Sequence, residues 1–486
     1  MESEKKLLDK YSINVNGISI QIEIITSDEK YVPIYLVSIM NITDTTKIIL
    51  EKIREEFVSR LDLTELEHIK QDESEDLKRK FTLSIAKLIQ KYFPESDEKT
   101  KNTLINYLLQ ENLGLGKIDI LLKDANLEEI VVNNHSEPVW VYHKKFGWLE
   151  TNIRIMTEAR IRHYSTMIGR DVNKEITALN PLMDAHLLTG DRVNATLNPI
   201  SSKGNTITIR KFAEDPWTIT KFLEAGTITP AAAALIWLGI QNELSIMIAG
   251  GTGSGKTSML NVVSNFLPPN QRIISIEDTR ELQLSKHLHW VPLETRLPNP
   301  EGKGGVTMLD LLVNSLRMRP DRIIVGEIRR KEEAQVLMEA MHTGHSVYAT
   351  IHANNSEETI TRLTNPPIEI PKPMLASLSM ILVQNRNRRT GKRITMQIAE
   401  MTKTGDPRIL MQFNAVNNTL EKISDAENVI STISLYTGMT RDQLLNDLKQ
   451  KEKLLLFLVE KKITSVDDIG KFMANYYTGK LKSNKD

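Results

Sequence analysis

Cysteine is absent from this chain of 486 residues, which excludes disulfide bonds, cysteine-ligated zinc and catalysis by a thiol. Aromatic residues make up only 5% of the sequence, and 62 lysines and arginines balance 62 aspartates and glutamates. The formal net charge is therefore zero, without the basic excess that is typical of a protein that tracks nucleic acid. Because a basic patch can be hidden in a neutral total, this balance argues only mildly against DNA or RNA as the main partner.

Long hydrophobic runs are also absent. The longest apolar stretch lies around residues 231–240, stops at Gln241-Asn242-Glu243 and is too short to span a bilayer. The first residues, Met1 to Lys6, carry charges of both signs and do not introduce the apolar segment of a signal peptide. With 40% hydrophobic residues, the sequence predicts a folded cytoplasmic protein that reaches a membrane only through a partner or a surface.

Changes of pattern divide the chain into five predicted segments: residues 1–112, 113–212, 213–230, 231–400 and 401–486. The first segment starts with alternating apolar residues around Asn16-Gly17, a strong hairpin signal, and continues at helical spacing, which predicts a small docking unit. The second mixes strands and helices and predicts an α+β domain. The third, rich in proline and glycine, is a predicted hinge. The fourth alternates apolar strands with helices, which is typical of a parallel sheet in an α/β domain, and the fifth is a predicted helical extension.

A glycine-rich loop follows the predicted strand 243–249 and precedes the predicted helix 258–266. It matches the phosphate-binding pattern G-x-x-x-x-G-K-[ST] in the strand–loop–helix context that the pattern requires. The side chain of Lys256 can reach the β- and γ-phosphates of a nucleotide, and the Thr257 hydroxyl can hold Mg²⁺. The predicted nucleotide-binding residues are Gly250, Gly251, Thr252, Gly253, Ser254, Gly255, Lys256, Thr257 and Ser258.

Hydrolysis requires a carboxylate that orients water near the γ-phosphate, and two acids follow apolar strands downstream of the loop. Glu277 follows the strand that starts at Arg272, and Glu327 follows the strand after Asp321. Ligands collect at the carboxyl ends of parallel strands, which favours a catalytic role for both acids over solvated helix caps. Which of the two activates water stays open at this point, with preference for Glu327. Gly326 occupies the position where a Walker B motif usually has aspartate.

Two histidines, His345 and His352, flank a third apolar strand. They do not share a helix face, so the pair does not match a zinc site. Sensing of the γ-phosphate at the end of a strand fits them better, and we include both among the predicted catalytic residues. The alternative is that each is a satisfied structural histidine.

Five motifs in order make the sequence similar to one known family. They are the loop 250–257, the Asp box 276–282, the variant Walker B motif 319–329, the His box 343–353 and an arginine region at 190–194 and 209–212. Over about residues 120–400 the chain resembles the ATPases of type II secretion and type IV pilus assembly, in which glycine at position 326 is normal. The missing zinc-binding cysteines point to the branch that serves archaeal pili or the archaellum.

The resemblance implies a RecA-like motor domain preceded by an amino-terminal domain, with ATP bound between them and six chains in a ring. It implies that Arg192 and Arg210 approach the phosphates when the domains close; the alternative is that each is the partner in a surface ion pair. Arg317, Arg319 and Arg329 are further candidates for sensing a neighbour's nucleotide. The expected activity is Mg²⁺-dependent ATP hydrolysis that powers pilus-like filament assembly or type II/IV secretion. The expected partner is a polytopic membrane platform protein at the inner face of the cell membrane, and no nucleic acid is expected.

Two other classes of function remain open from the sequence. Related P-loop rings translocate nucleic acid, although the low aromatic content and the absence of an RNA-binding G-x-x-G loop in the carboxy-terminal segment argue against this alternative. A scaffold that binds nucleotide without hydrolysing it is the other alternative. The two acids at strand ends argue against the scaffold.

Overall fold

The computed structural model describes residues 6–15, 17–39, 44–59, 74–172, 174–187, 189–212, 215–298, 302–387 and 389–480. The chain divides into two compact units, Met1–Ala213 and Glu214–Asp486, and each unit contains a nine-stranded sheet. Among the described helices, none combines the length and the apolar character needed to cross a membrane.

The first unit has strands at both ends of the chain segment and helices between them. Its elements are β1 (Lys6–Val15), β2 (Ile18–Thr26), β3 (Ile34–Ile39), α1 (Asp44–Ser59), α2 (Ser74–Tyr92), α3 (Glu98–Leu113), α4 (Lys117–Leu122), β4 (Leu127–Val132), β5 (Pro138–His143), β6 (Gly147–Arg154), α5 (Glu158–Asp171), β7 (Leu182–His186), β8 (Arg192–Thr196) and β9 (Thr206–Arg210). The strand order is β1-β2-β3-β6-β5-β4-β9-β8-β7. All neighbours are antiparallel except β3 and β6.

The predicted amino-terminal hairpin forms, with Val15 opposite Ile18 and Gly17 at a φ of 84°, while Asn16 lies outside the described residues. Every second residue of β2 is buried, as the alternation in the sequence indicates. β3 then joins the hairpin to β6 through the register pairs Ile34–Glu150 and Tyr35–Thr151. One sheet therefore holds strands from both of the first two predicted segments.

The side-chain amide of Asn152 adds two hydrogen bonds to the seam, the line along which β3 pairs with β6. The Asn152 amide donates to Val37 O at 3.0 Å, and its oxygen accepts from Val37 N at 2.9 Å. Behind the seam, the buried Asp124 carboxylate accepts hydrogen bonds from the hydroxyls of Tyr11 (2.6 Å) and Tyr35 (2.5 Å). Backbone groups and buried polar groups thus both attach the amino-terminal strands to the rest of the unit.

The second unit is a mixed sheet covered by helices. Its elements are α6 (Ile219–Glu224), α7 (Pro230–Gln241), β10 (Ile246–Gly250), α8 (Lys256–Ser264), β11 (Arg272–Glu277), β12 (His289–Glu294), α9 (Met308–Ser315), β13 (Arg322–Val325), α10 (Lys331–His342), β14 (Ser346–Ile351), α11 (Ser356–Thr364), β15 (Met380–Arg386), β16 (Arg393–Met401), β17 (Pro407–Asn414), β18 (Thr419–Lys422), α12 (Glu427–Thr437), α13 (Arg441–Glu460) and α14 (Val466–Tyr477), with 3₁₀ turns at Leu316–Met318 and Lys372–Ser377.

The strand order of this sheet is β12-β11-β13-β14-β10-β15-β16-β17-β18. The first six strands in this order, from β12 through β15, are parallel, which confirms the predicted α/β fold. The remaining strands, β16 to β18, continue from β15 as an antiparallel meander. Strands β10, β13 and β14 are buried at every residue, because helices cover both faces of the parallel half. Their nearly continuous apolar sequences have this origin.

The carboxy-terminal region differs from the predicted helical extension over 401–486, because β17 and β18 precede the helices. The turn residues Thr404 to Asp406 reverse the chain and let β17 pair with β16. The three helices after them then pack on the sheet side that α7 occupies. The fully buried Lys451 links α13 to α7: its amine donates to both oxygens of Asp447 in its own helix at 2.6 Å and lies 5.3 Å from the Trp237 ring of α7.

Candidate functional site

The glycine-rich loop connects β10 to α8 in the centre of the sheet. Gly253 and Gly255 have φ angles of 71° and 94°, a left-handed conformation that side chains disfavour. Gly250 has an ordinary φ, but a Cβ atom there would lie 2.7 Å from the carbonyl oxygen of Gln384. The loop therefore needs glycine for close approach at Gly250 and for backbone conformation at the other two positions. It leads into the amino terminus of α8, where free N–H groups and the helix dipole favour anions.

The amine of Lys256 lies over this loop. It donates to Gly250 O at 3.0 Å and Gly251 O at 3.2 Å, and it lies 3.4 Å from both ring nitrogens of His352. His352 directly follows β14, which pairs with β10 in parallel register. The two chain segments therefore meet because their strands are neighbours and end at the same edge of the sheet.

Glu327 joins the same group from the end of β13, the neighbour of β14 on the other side. Its Oε1 lies 3.0 Å from His352 Nε2, and its Oε2 accepts from Arg329 Nη2 at 2.7 Å. Arg329 also donates from Nη1 to Asp278 Oδ2 at 2.7 Å. Polar contacts thus run without interruption from Asp278 through Arg329, Glu327 and His352 to Lys256.

Electrostatics hold His352 neutral in this group. Burial disfavours the imidazolium ion and lowers the pKa of His352, and the charge of Lys256 lowers it further. The carboxylate of Glu327 acts in the opposite direction but does not overcome these two effects. A neutral imidazole between an amine and a carboxylate can exchange hydrogen bonds with both.

Glu277 lies at the end of β11 and is only 2% exposed. Its Oε1 accepts the backbone N–H groups of Glu281 at 3.0 Å and Leu282 at 3.1 Å. Its Oε2 is buried and has no hydrogen-bond partner within the part of the chain that the structure describes. Burial raises the pKa of Glu277 to about 7, although the two N–H groups favour the ionised form.

The structure also explains why glycine replaces aspartate before Glu327. A Cβ atom on Gly326 would lie 3.4 Å from the Cγ atom of Glu277, so an aspartate there would direct a second carboxyl group towards a buried acid. Gly326 itself is fixed, since its N–H donates to Ile276 O at 2.8 Å and its carbonyl accepts from Thr350 Oγ1 at 2.5 Å. A Cβ at this distance is in ordinary contact, so position 326 disfavours the second carboxyl group of an aspartate rather than its bulk.

His345 does not join this cluster, because it precedes β14 and His352 follows it. A six-residue strand separates them by roughly 20 Å. The ring of His345 instead contacts the end of α10, with Nδ1 3.1 Å from Thr343 Oγ1 and 3.2 Å from Ala340 O. Arg317 and Arg319 likewise precede β13, at the end of that strand opposite Glu327.

Arg192 and Arg210 lie in the first unit, where β8 and β9 place them directly opposite each other. Directly opposite residues project from the same face, so the structure brings these two predicted side chains together. The Arg192 guanidinium donates to both Asp184 oxygens, at 3.1 and 2.7 Å, and Arg210 stands opposite Glu129 on β4. Burial raises the pKa of Glu129, and the charge of Arg210 opposes that rise.

The sequence did not reveal that two arginines of the β15–β16 hairpin contact the loop. Arg393 Nε donates to Gly253 O at 3.2 Å, and Arg386 Nη1 lies 3.5 Å from where a Cβ on Gly253 would be. The available signal was the density of cations between residues 386 and 393. Its meaning depends on β15 being the neighbour of β10, which no local pattern indicates.

Comparison with known proteins gives related sequences over all or part of the chain. MJ0781, an uncharacterized protein of Methanocaldococcus jannaschii, is 27% identical over an alignment that covers 98% of this chain and 89% of the relative. MJ0900 of the same organism is 39% identical, over 61% of this chain and 54% of its own length. The type IV secretion system protein PtlH of Bordetella pertussis is 31% identical, over 50% of this chain and 77% of its own.

Residues 111–447 match the family described as type II/IV secretion system protein. This match extends over more than half of the chain and includes all the motifs that carry the resemblance. The chain belongs to the type II/IV secretion system protein family, and the family assignment made from those motifs is confirmed.

Proposed function

We propose that this chain is a Mg²⁺-dependent ATP hydrolase that acts as a mechanical motor in pilus-like filament assembly or in type II/IV secretion. The family assignment supports the setting, and one relative, PtlH, is named as a type IV secretion system protein. The observation that carries the catalytic part is the contact between the Lys256 amine, His352 and Glu327 at one sheet edge.

Polar groups at the loop fit a triphosphate. Gly250 places no side chain over the backbone of the loop. The buried Ser254 hydroxyl has no hydrogen-bond partner among the described residues. Lys256 would exchange its two carbonyl contacts for β- and γ-phosphate oxygens, a stronger pairing because the acceptor is charged. The hydroxyl of Thr257 would hold Mg²⁺, which when bound neutralises charge on the phosphate oxygens.

Glu327 is the acid that we assign to orienting the attacking water. It is partly exposed, its carboxylate is held by His352 and Arg329, and it lies near Lys256 through the shared histidine. Glu277, with a pKa of about 7 and 2% exposure, is poorly placed to meet water. We assign Glu277 to holding the loop after β11, since it accepts the N–H groups of Glu281 and Leu282.

Mechanical work would come from a ring of six chains in which Arg192 and Arg210 add positive charge at the phosphates as the two units close. Two arginines on one sheet face suit this role, because one guanidinium can stabilise the charge of a phosphoryl-transfer transition state. The stroke would act on a membrane platform protein, which would place the motor at the inner face of the cell membrane. His345 has no catalytic role in this proposal.

The test is phosphate release by the purified full-length chain with and without Mg²⁺. Replacement of Lys256 by alanine should reduce turnover by about 100-fold or more, since it removes a charge aimed at the phosphates. Replacement of the exposed Lys403 by alanine is the matched control and should leave turnover unchanged. Turnover that survives Lys256→Ala would refute the proposal, and stimulation by single-stranded nucleic acid would favour the translocase alternative.

A further inference from the structure

A cleft opens in the first unit where the helices meet the sheet. It has a volume of 180 Å³ and lies between α1, α3, the start of α4, the end of β6 and α5. None of the residues proposed above for nucleotide binding or hydrolysis lines it. The cleft is therefore a feature of its own, within a single compact unit.

The floor of the cleft is aliphatic. Leu50, Leu108, Ile118, Ile153 and Ile155 line it, and all five are at most 6% exposed. An apolar cavity of about 150 Å³ is large enough to bind benzene, so this cleft has room for one ring-sized or branched side chain. It is too small for a lipid acyl chain along its length.

The rim of the cleft is basic. The lining residues include four cations, Arg54, Lys117, Arg154 and Arg160, and a single carboxylate, Glu51. This excess of positive charge contrasts with the zero net charge of the whole chain. A ligand that carries several negative charges is therefore the complementary partner.

Two of the rim arginines are held in place by neighbouring groups. Arg160 Nε donates to the Tyr164 hydroxyl at 2.8 Å, and its guanidinium lies 5.6 Å from the centre of that ring. Arg154 Nη1 donates to Ser136 O at 2.5 Å. Since these side chains are already ordered, a ligand does not bear the entropic cost of fixing them.

We propose that this cleft binds an acidic peptide segment of a partner protein, with one large apolar side chain inserted between the helices and carboxylates against the basic rim. The dimensions favour a side chain over a lipid tail. A nucleobase would need polar groups to read its edge, and the five floor side chains named above are all aliphatic. A peptide satisfies both the apolar floor and the charged rim.

The probe is a fluorescein-labelled heptapeptide with a central phenylalanine between six aspartates, titrated with the full-length chain at low salt and followed by anisotropy. We expect saturable binding that weakens by about tenfold or more when the phenylalanine is replaced by alanine, because the apolar anchor is lost. The double variant Arg54→Glu, Lys117→Glu should weaken binding by at least as much, through charge reversal. Lys144→Glu changes an exposed lysine outside the cleft and should bind like the unmodified chain.

Equal binding by the double variant and the unmodified chain would overturn the proposal. Displacement of the peptide by an equimolar concentration of inorganic phosphate would also overturn it, because it indicates a phosphate site. The same holds if the peptide does not bind while phosphatidylglycerol vesicles bind through the same two cations. Thermal unfolding and ATP turnover of the double variant should match the unmodified chain, which separates a binding defect from misfolding. The readout requires no hydrolysis, so its result is independent of the motor proposal.

Discussion

His352 Nε2 lies 3.0 Å from Glu327 Oε1, while the same imidazole ring lies 3.4 Å from the amine of Lys256. One neutral ring therefore links Lys256, which we assign to the phosphates, to the acid that we assign to water. The protonation state of His352 controls both contacts, since an imidazolium would repel the amine and form an ion pair with the acid.

The first prediction concerns the pH dependence of turnover. The pKa of His352 is lowered from its ordinary value of 6.5, so the ring is neutral at pH 7 and becomes charged only on acidification below 6.5. Because the ring does not change its protonation near neutral pH, the rate should be constant there and should fall as the pH decreases through this lowered pKa. Initial rates between pH 5 and 8 measure this. In His352→Asn the rate at neutral pH should be lower and should no longer fall on acidification, whereas in His345→Asn the fall should remain. An unchanged fall of the rate in His352→Asn would contradict the assignment.

The second prediction concerns the stability of Glu277→Gln. The pKa of Glu277 rises from 4.5 to about 7 in the folded chain, so the folded state binds more protons than the unfolded state between these values. Its contribution is present below pH 4.5 and is lost as the pH rises through 7. Glutamine keeps the acceptor for the two N–H groups without the charge, so above pH 7 the variant should be more stable by on the order of 3 kcal/mol.

Thermal unfolding of both proteins at pH 5 and pH 8.5 measures this difference. The variant should gain stability relative to the unmodified chain as the pH rises. Glu224→Gln, which changes an exposed carboxylate outside the site, should show no such gain. A difference between the two glutamine variants that is the same at both pH values would show that burial of the Glu277 charge is not the cause.

The third prediction compares two adjacent glycines of the glycine-rich loop. A Cβ on Gly250 would lie 2.7 Å from Gln384 O, a backbone atom that cannot move aside, whereas a Cβ on Gly251 would lie 3.5 Å from its nearest neighbour, Asn354 Oδ1. Overpacking costs about 1–3 kcal/mol, so Gly250→Ala should weaken binding of a fluorescent ATP analogue roughly 5- to 150-fold. Gly251→Ala should bind within about twofold of the unmodified chain. Equal losses in the two variants would mean that backbone approach at Gly250 does not shape the loop.

The fourth prediction concerns Arg329, which bridges Asp278 and Glu327 with two separate N–H groups at 2.7 Å. Lysine keeps the charge but lacks the planar fork, so it cannot hold both carboxylates in the same geometry. Because Glu327 would be misplaced while the loop stays intact, Arg329→Lys should lower kcat by about 10- to 100-fold with little change in KM for ATP. Lys331→Arg, at an exposed ion pair nearby, is the control. An increase in KM with kcat unchanged would place Arg329 in substrate binding instead.

Much of the second unit could be predicted because its signals are local. The loop around Lys256 is a contiguous pattern, and Glu277 and Glu327 each follow an apolar strand that is buried on both faces. Parallel strands bring their carboxyl ends to one edge, so neighbouring motifs were expected to converge. His352 is part of this group for the same reason.

The rest depends on contacts that no local pattern encodes. His345 and His352 are equally near in sequence to β14, and only the direction of that strand separates the histidine of the site from the one at the far end. Arg393 reaches the loop only because β16 pairs with β15, which is the neighbour of β10 in the sheet. The bridge made by Arg329 depends on Asp278, 51 residues earlier in the chain.

The seam between β3 and β6 has a practical consequence for dissecting the protein. The hydrogen bonds of Asn152 to Val37, together with two backbone register pairs, cover the outer edge of β6. A shortened chain that begins after residue 112 would keep the family segment but expose that strand, and an open strand is a template for pairing with another chain. Self-association of such a fragment would thus result from the unpaired β6 strand and should not be interpreted as ring formation.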